Sequence, residues 1–146
     1  MFKHILIPTD GSTAANKSAK AAIALASRLG AKVVACYAVE ELRPVFGPRL
    51  MINQKMIDEV NERTREVGQK HVDAIGRMAK AAGVPFAALV TNVYPPHGGI
   101  IDAAKKLKCD AIFISSHGRS GLSRLMMGSV AEKVLMRAKI PVVVYR

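Results

Sequence analysis

The sequence predicts an α/β fold: an open, doubly wound, parallel five-stranded sheet with helices on both faces, Rossmann-like or flavodoxin-like, in strand order 3-2-1-4-5. Two observations carry this. Strand-sized apolar runs alternate with amphipathic helical stretches from one end of the chain to the other, the signature of a parallel sheet. Within those runs successive residues are apolar, not alternate ones, so both faces of the sheet must be covered. Right-handed crossovers then select the doubly wound arrangement.

Lys3 to Pro8 is the first strand, ended by a proline that cannot donate to a ladder. Asp10-Gly11-Ser12 supplies turn and N-cap chemistry, with Asp10 or Ser12 as the cap. Ala15, Ala19, Ala22, Ile23, Ala26 and Leu29 recur at helical spacing up to a stop at Gly30. Lys32 to Val39 is the second strand, and Glu40 to Asn53, with Pro44, Gly47 and Pro48, a long loop. Met56, Val60, Val67, His71, Ile75, Met78 and Ala82 mark the inner face of a long helix ending at Gly83, with His71 read as a packed core side chain. Gly68 and Gly76 weaken that helix by roughly 1 kcal/mol each against Ala.

Pro85 to Val93 is the third strand, and Tyr94 to Gly99 the loop after it. Ile100, Ile101, Ala104 and Leu107 give a short helix, and Asp110 to Ser115 the fourth strand. A polar, Gly-containing loop runs from Ser116 to about Met127; a last helix opens near Ser129, and Pro141 to Tyr145 is the fifth strand. Residues 1–146 read as one domain.

Composition narrows the function classes. With 50% hydrophobic and 23% charged residues, the chain is neither disordered nor collagen-like. No apolar run approaches the roughly 20 residues that span a bilayer. The first residues lead into a strand, not a signal-peptide core. Cys36 and Cys109 lack metal-ligand spacing and suit a reducing cytoplasm, the expected compartment.

The net charge of +11 invites nucleic acid as a partner. The excess is +4 in residues 1–39, +2 in 40–114 and +5 in 115–146, so no basic tail exists. Four Phe, three Tyr and no Trp leave little for base stacking. No specific nucleic-acid partner is expected, only nonspecific polyanion affinity at low salt. A basic rim around an anionic small ligand explains the distribution at least as well.

Motifs for a P-loop, a dinucleotide fingerprint, a zinc protease or a hydrolase elbow are absent. One constellation remains: Ser115-Ser116-His117-Gly118-Arg119-Ser120-Gly121, then Gly128-Ser129-Val130-Ala131-Glu132 after six residues. Ser129 and Glu132 have capping-box spacing. The helix they open would present free amides and a positive dipole end to an anion. Gly128 would let a phosphate approach the backbone. The same residues also suit a plain cap and a plain turn, and Arg119 and Arg124 suit ordinary solvated charges.

These residues, with Ile5-Leu6-Ile7-Pro8-Thr9-Asp10-Gly11-Ser12, resemble the universal stress protein family over the whole chain. ATP-binding members carry G-x2-G-x9-G-[ST]; here Ser115, Gly118, Gly128 and Ser129 stand at those positions, with serine in place of the first glycine. The resemblance implies that Pro8, Thr9 and Asp10 line the adenosine side of a cleft, with Asp10 meeting ribose hydroxyls or a magnesium ion. It implies that Ala38 meets adenine through its backbone, and that Ser115, His117 and Gly118 follow the ribose and phosphates. Gly128, Ser129 and Val130 would hold the phosphates.

The expected function is therefore an ATP-binding stress-response or regulatory protein, switched by occupancy, with ATP and magnesium as ligands. His117 is the sole spare base in the loop, so at most slow hydrolysis or autophosphorylation is expected. The loop after the second strand would act as a lid. A homodimer through residues 141–145 is implied too, since that strand is otherwise an exposed edge. The alternative is a nucleotide-free dimeric interaction module of the same family.

Overall fold

The computed structural model describes residues 2–42, 53–119 and 127–146. The expected lid and Arg124 fall on residues 43–52 and 120–126, outside the described residues. The elements are β1 (His4–Pro8), α1 (Thr13–Leu29), β2 (Lys32–Ala38), α2 (Gln54–Ala81), β3 (Phe86–Thr91), α3 (Pro96–Lys106), β4 (Ala111–Ser115), α4 (Ser129–Arg137) and β5 (Val142–Tyr145). The strands form one parallel sheet in the order β3-β2-β1-β4-β5, as the sequence predicts.

Strand alternation divides the core. Ile5 and Ile7 of β1 face one way with Val33 and Ala35 of β2, under α1 and α2. Leu6, Val34 and Cys36 face the other way, under α3 and α4. Each of these β1 side chains is at most 1% exposed, so truncating any to Ala costs about 2–5 kcal/mol. Burial pushes the Cys36 thiol up to about 12 and that of Cys109 up to about 11. Both cysteines are free and inert as nucleophiles.

Four details differ from the sequence reading. α3 begins at Pro96, not Ile100, because a proline fits the first helical turn, where its missing donor costs nothing. α4 is capped by Gly128 and starts at Ser129, so the expected capping box does not form. The buried side of α2 runs through Ile57, Gly68, Val72, Ile75 and Ala79, while Met56, Val60 and Val67 are exposed. Gly68 has a packing reason: a Cβ there would stand 2.6 Å from the Tyr37 ring. His71 is only half-buried, stacked on Tyr37 with ring centroids 5.8 Å apart.

Candidate functional site

The strand order reverses between β1 and β4, because β1 is followed by a crossover to β2 while β4 is reached from β3 across the opposite face. The two strands share register at Ile5↔Ala111 and Leu6↔Ile112, then run on without further paired positions. A cleft of about 550 Å³ opens at their carboxyl ends, where doubly wound sheets hold ligands. All ten residues singled out from the sequence line it: Pro8, Thr9, Asp10, Ala38, Ser115, His117, Gly118, Gly128, Ser129 and Val130.

Each wall is tied by specific bonds. Thr9 Oγ1 accepts from Gly11 N at 3.1 Å, and Thr9 N donates to Cys36 O at 2.9 Å, which hangs the loop after β1 on β2. The α1 cap is Ser12, whose Oγ accepts from Ala15 N at 3.1 Å. Asp10 instead closes the turn before it, Oδ1 accepting from Ser12 N at 2.9 Å. Asp10 Oδ2 accepts from Arg119 N at 2.8 Å. A Cβ on Gly118 would collide with that oxygen, so the close approach requires glycine.

The opposite wall is the loop after β4. Ser115 Oγ donates to the His117 carbonyl at 2.7 Å, and Ser116 Oγ lies 2.8 Å from His117 Nδ1. Gly128 N donates to Ser116 O at 2.7 Å, closing the loop at its base. That bond commits the Gly128 amide. The helix-start amides that lack an intrahelical acceptor are then those of Ser129, Val130 and Ala131. They carry the positive end of the α4 dipole at the edge of the cleft.

Sequence reasoning missed Arg119. It is no plain solvated charge: Nε donates to Asp10 O at 2.7 Å, and Nη2 reaches Tyr37 Oη at 3.2 Å. No spacing signal could have joined residues 109 positions apart. Arg119 is also the single Lys or Arg among the described lining residues, beside Glu40 and Asp10. The described residues contain no cluster of three or more His, Cys, Asp or Glu able to hold a metal.

Comparison with known proteins fixes the relationship. The model of the universal stress protein family matches residues 1–146. The chain belongs to this family. It is 34% identical to Universal stress protein MJ0531 of Methanocaldococcus jannaschii, over 100% of this chain and 83% of that one. Among solved folds it is similar to universal stress protein UspA from Lactobacillus plantarum, with TM-score 0.85, 22% identity and coverage of 99% and 98%. It is also similar to a universal stress protein in complex with cAMP, with TM-score 0.73, 19% identity and coverage of 99% and 97%. No helix among the described residues is long and apolar enough to cross a membrane.

Proposed function

We propose that this member of the universal stress protein family binds ATP, brought with magnesium, in the cleft between β1 and β4, and acts as a stress-response regulator switched by occupancy. One observation carries the reading. The free amides of the α4 N-terminus and the Asp10 carboxylate stand on facing walls of one cleft at the point of strand reversal. Amides suit phosphate oxygens. A carboxylate oxygen that already accepts one bond keeps a lone pair for a ribose hydroxyl. The backbone of Ala38, at the end of β2, offers polar groups for the adenine edge. A protein of the same fold takes cAMP, in keeping with an adenine nucleotide here.

The donor set suits a magnesium ion held chiefly by the phosphates. Asp10 and Glu40 are the carboxylates of the lining, and both Asp10 oxygens already brace backbone amides. The ion would neutralise phosphate charge. The chain's own part is binding and orientation: Ser129, Val130 and Ala131 hold phosphate oxygens, and Gly118 lets the loop close on Asp10. Slow turnover at most follows, because His117 is braced by Ser116 and positioned by the Ser115 bond to its carbonyl.

The protein works as a homodimer through β5, the sheet edge next to β4. The test of the nucleotide reading is the ligand itself. Purified protein, denatured and analysed by absorbance and mass spectrometry, should release ATP or another adenine nucleotide. Release of none, after purification in magnesium and ATP, would leave the family's nucleotide-free interaction role in its place.

A further inference from the structure

Among the described residues β3 is an edge strand, paired with β2 alone. Its six residues, Phe86–Thr91, include no charge and no proline, the devices that usually guard an edge. Ala87 and Ala88 are exposed. Val33 N donates to Pro85 O and Val39 N to Thr91 O, so the odd-numbered residues serve β2. Phe86, Ala88 and Val90 therefore turn their N–H and C=O groups to the open edge.

Those outward groups are self-complementary. An antiparallel copy, rotated about a two-fold axis at Ala88, sets Ala88 opposite itself and Phe86 opposite Val90, each as a hydrogen-bonded pair. Phe86 and Val90 lie on the α2 face of the sheet, partly buried, and form a favourable aromatic and β-branched cross-strand pair. On the other face half-buried Leu89 meets exposed Ala87 of the copy.

α2 follows the same symmetry. A Cβ on Gly76 would stand 2.7 Å from the Phe86 ring, and one on Gly68 2.6 Å from the Tyr37 ring, while Tyr37 is in register with Val90. Val72, midway between the glycines, is thus level with Ala88. Rotation about Ala88 sets the two α2 helices antiparallel, with Glu66 level with Arg77 of the copy and Glu62 within one turn of its Lys80. Because α2 leans from β2 at Gly68 to β3 at Gly76, the two helices run about 10 Å apart along their length, at about 4.8 Å per strand. Helices pack at that distance.

Charge matches across the axis. The lean of α2 leaves a groove of about 500 Å³ over the end of β3, bordered by Glu62, Arg65 and Glu66. Arg65 is tied to Glu41 and Glu62, whereas Glu66 has no ion pair with a described residue. At the other end of β3, Arg77 and Lys80 border Phe86 with Asp73. Neither cation forms an ion pair with a described residue, and Asp73 accepts from Gln69 Nε2 at 2.8 Å. The rotation brings the two cations of each copy to the acidic groove of the other.

We propose that β3 and the adjoining side of α2 form a two-fold contact between copies of this chain, separate from the edge at β5. An unrelated extended strand would use the backbone groups alone; the matched charges on α2 select a second copy. The contact is about 20 Å long and about 20 Å tall, roughly 400 Å² per partner, less than the roughly 1,200 Å² in total of stable interfaces. It therefore forms at high concentration. β5, at the opposite edge of the sheet, is left for its own pairing.

The test takes the full chain with Val144→Pro, which blocks pairing through β5, and follows sedimentation from about 10 μM to about 1 mM. The protein should be a monomer at the lower end and largely a dimer at the upper, a dissociation constant of about 0.1–1 mM. Ala88→Pro in this background removes no donor from the β2–β3 ladder and should keep the chain monomeric throughout. Glu66→Lys and Arg77→Glu should each weaken dimerisation at least about tenfold, since each repulsion occurs twice. Glu66→Lys/Arg77→Glu together should return it to within about threefold of the Val144→Pro value. Thermal melts establish that each variant folds, and the charge exchange decides alone if Ala88→Pro melts early. A monomer at about 1 mM overturns the proposal and leaves the edge to β5 or to a foreign strand. A dimer that survives Ala88→Pro in a folded chain, or a charge exchange that restores nothing, overturns it as well.

Discussion

Asp10 and Arg119 grip each other twice: the Asp10 carboxylate accepts the Arg119 backbone amide at 2.8 Å, and Arg119 Nε returns to the Asp10 carbonyl at 2.7 Å. The pair joins the loop after β1 to the loop after β4, the two walls of the cleft. Its two bonds differ in kind. One uses the Asp10 side chain and the Arg119 backbone, the other the reverse, so substitutions separate them.

Asp10→Ala removes the acceptor for both Ser12 N and Arg119 N, charge-assisted bonds whose loss together costs about 2–4 kcal/mol. Arg119→Ala leaves the backbone amide in place and removes two exposed side-chain bonds, for about 1 kcal/mol. Denaturant melts should rank them in that order. A larger loss for Arg119→Ala would mean that the guanidinium, not the carboxylate, holds the walls together.

Ser115→Gly restores the glycine of the ATP-binding motif. It also deletes the hydroxyl that donates to the His117 carbonyl at 2.7 Å. The loop should loosen, with about 1 kcal/mol lost in stability and nucleotide affinity reduced. Calorimetry of the two proteins side by side checks this. An affinity gain would show that the serine Cβ obstructs the nucleotide more than its hydroxyl supports the loop.

Gly128→Val should weaken nucleotide binding and the fold together. A Cβ at this position stands 3.3 Å from Ser116 O, the acceptor of the loop-closing bond, so branching there should cost about 1–3 kcal/mol in overpacking. Stability and affinity measured on one preparation test it. Undiminished stability would show that the loop yields freely.

The pH dependence of stability should carry a His97 component. Burial, then the Arg137 and Lys133 cations, holds its imidazole below the ordinary 6.5. Arg137 Nη1 lies 3.3 Å from His97 Nε2, where a neutral ring can accept. As pH falls the unfolded chain therefore binds the proton first, so this contribution is complete above about pH 6.5 and declines below it. The melting temperature should drop less in His97→Gln than in the unaltered protein between about pH 7.5 and about pH 5.5. Equal drops would remove His97 from the account of stability.

For the dimer, main-chain parity picks the informative residue. Pro141 O and Tyr145 O accept from β4 amides, so Val143 faces β4 while Val142 and Val144 turn their backbone groups to the open edge. Val144→Pro should give a monomer by sedimentation with the β4–β5 ladder intact, whereas Val143→Pro damages the sheet itself. A monomer before any substitution, at micromolar concentration, would dismiss β5 as the interface.

Strand order and the cleft lining were legible in the sequence for one physical reason. In a doubly wound sheet the carboxyl ends of β1, β2 and β4 converge, so finding the strand ends at Pro8, Ala38 and Ser115 locates the cleft lining. The α4 cap was misread by one position, because Ser129 and Glu132 have capping-box spacing but the chain turns at Gly128. Asp10–Arg119 and Gly68–Tyr37 were invisible, since contacts between distant segments leave no periodic mark. Lys3, Lys32 and Lys106 are scattered along the chain, and only the parallel topology gathers them at one end.

Titration calorimetry of Mg-ATP into the unaltered chain and into Gly118→Ala tests the nucleotide cleft most directly. Gly118 has a negligible side chain of its own to lose, and a Cβ there meets Asp10 Oδ2. The unaltered protein should give saturable heat for one nucleotide per chain, and Gly118→Ala should bind at least tenfold more weakly, about 1.4 kcal/mol. No heat from nucleotide-stripped protein, or equal affinity in the two, would contradict the assignment of this cleft to ATP.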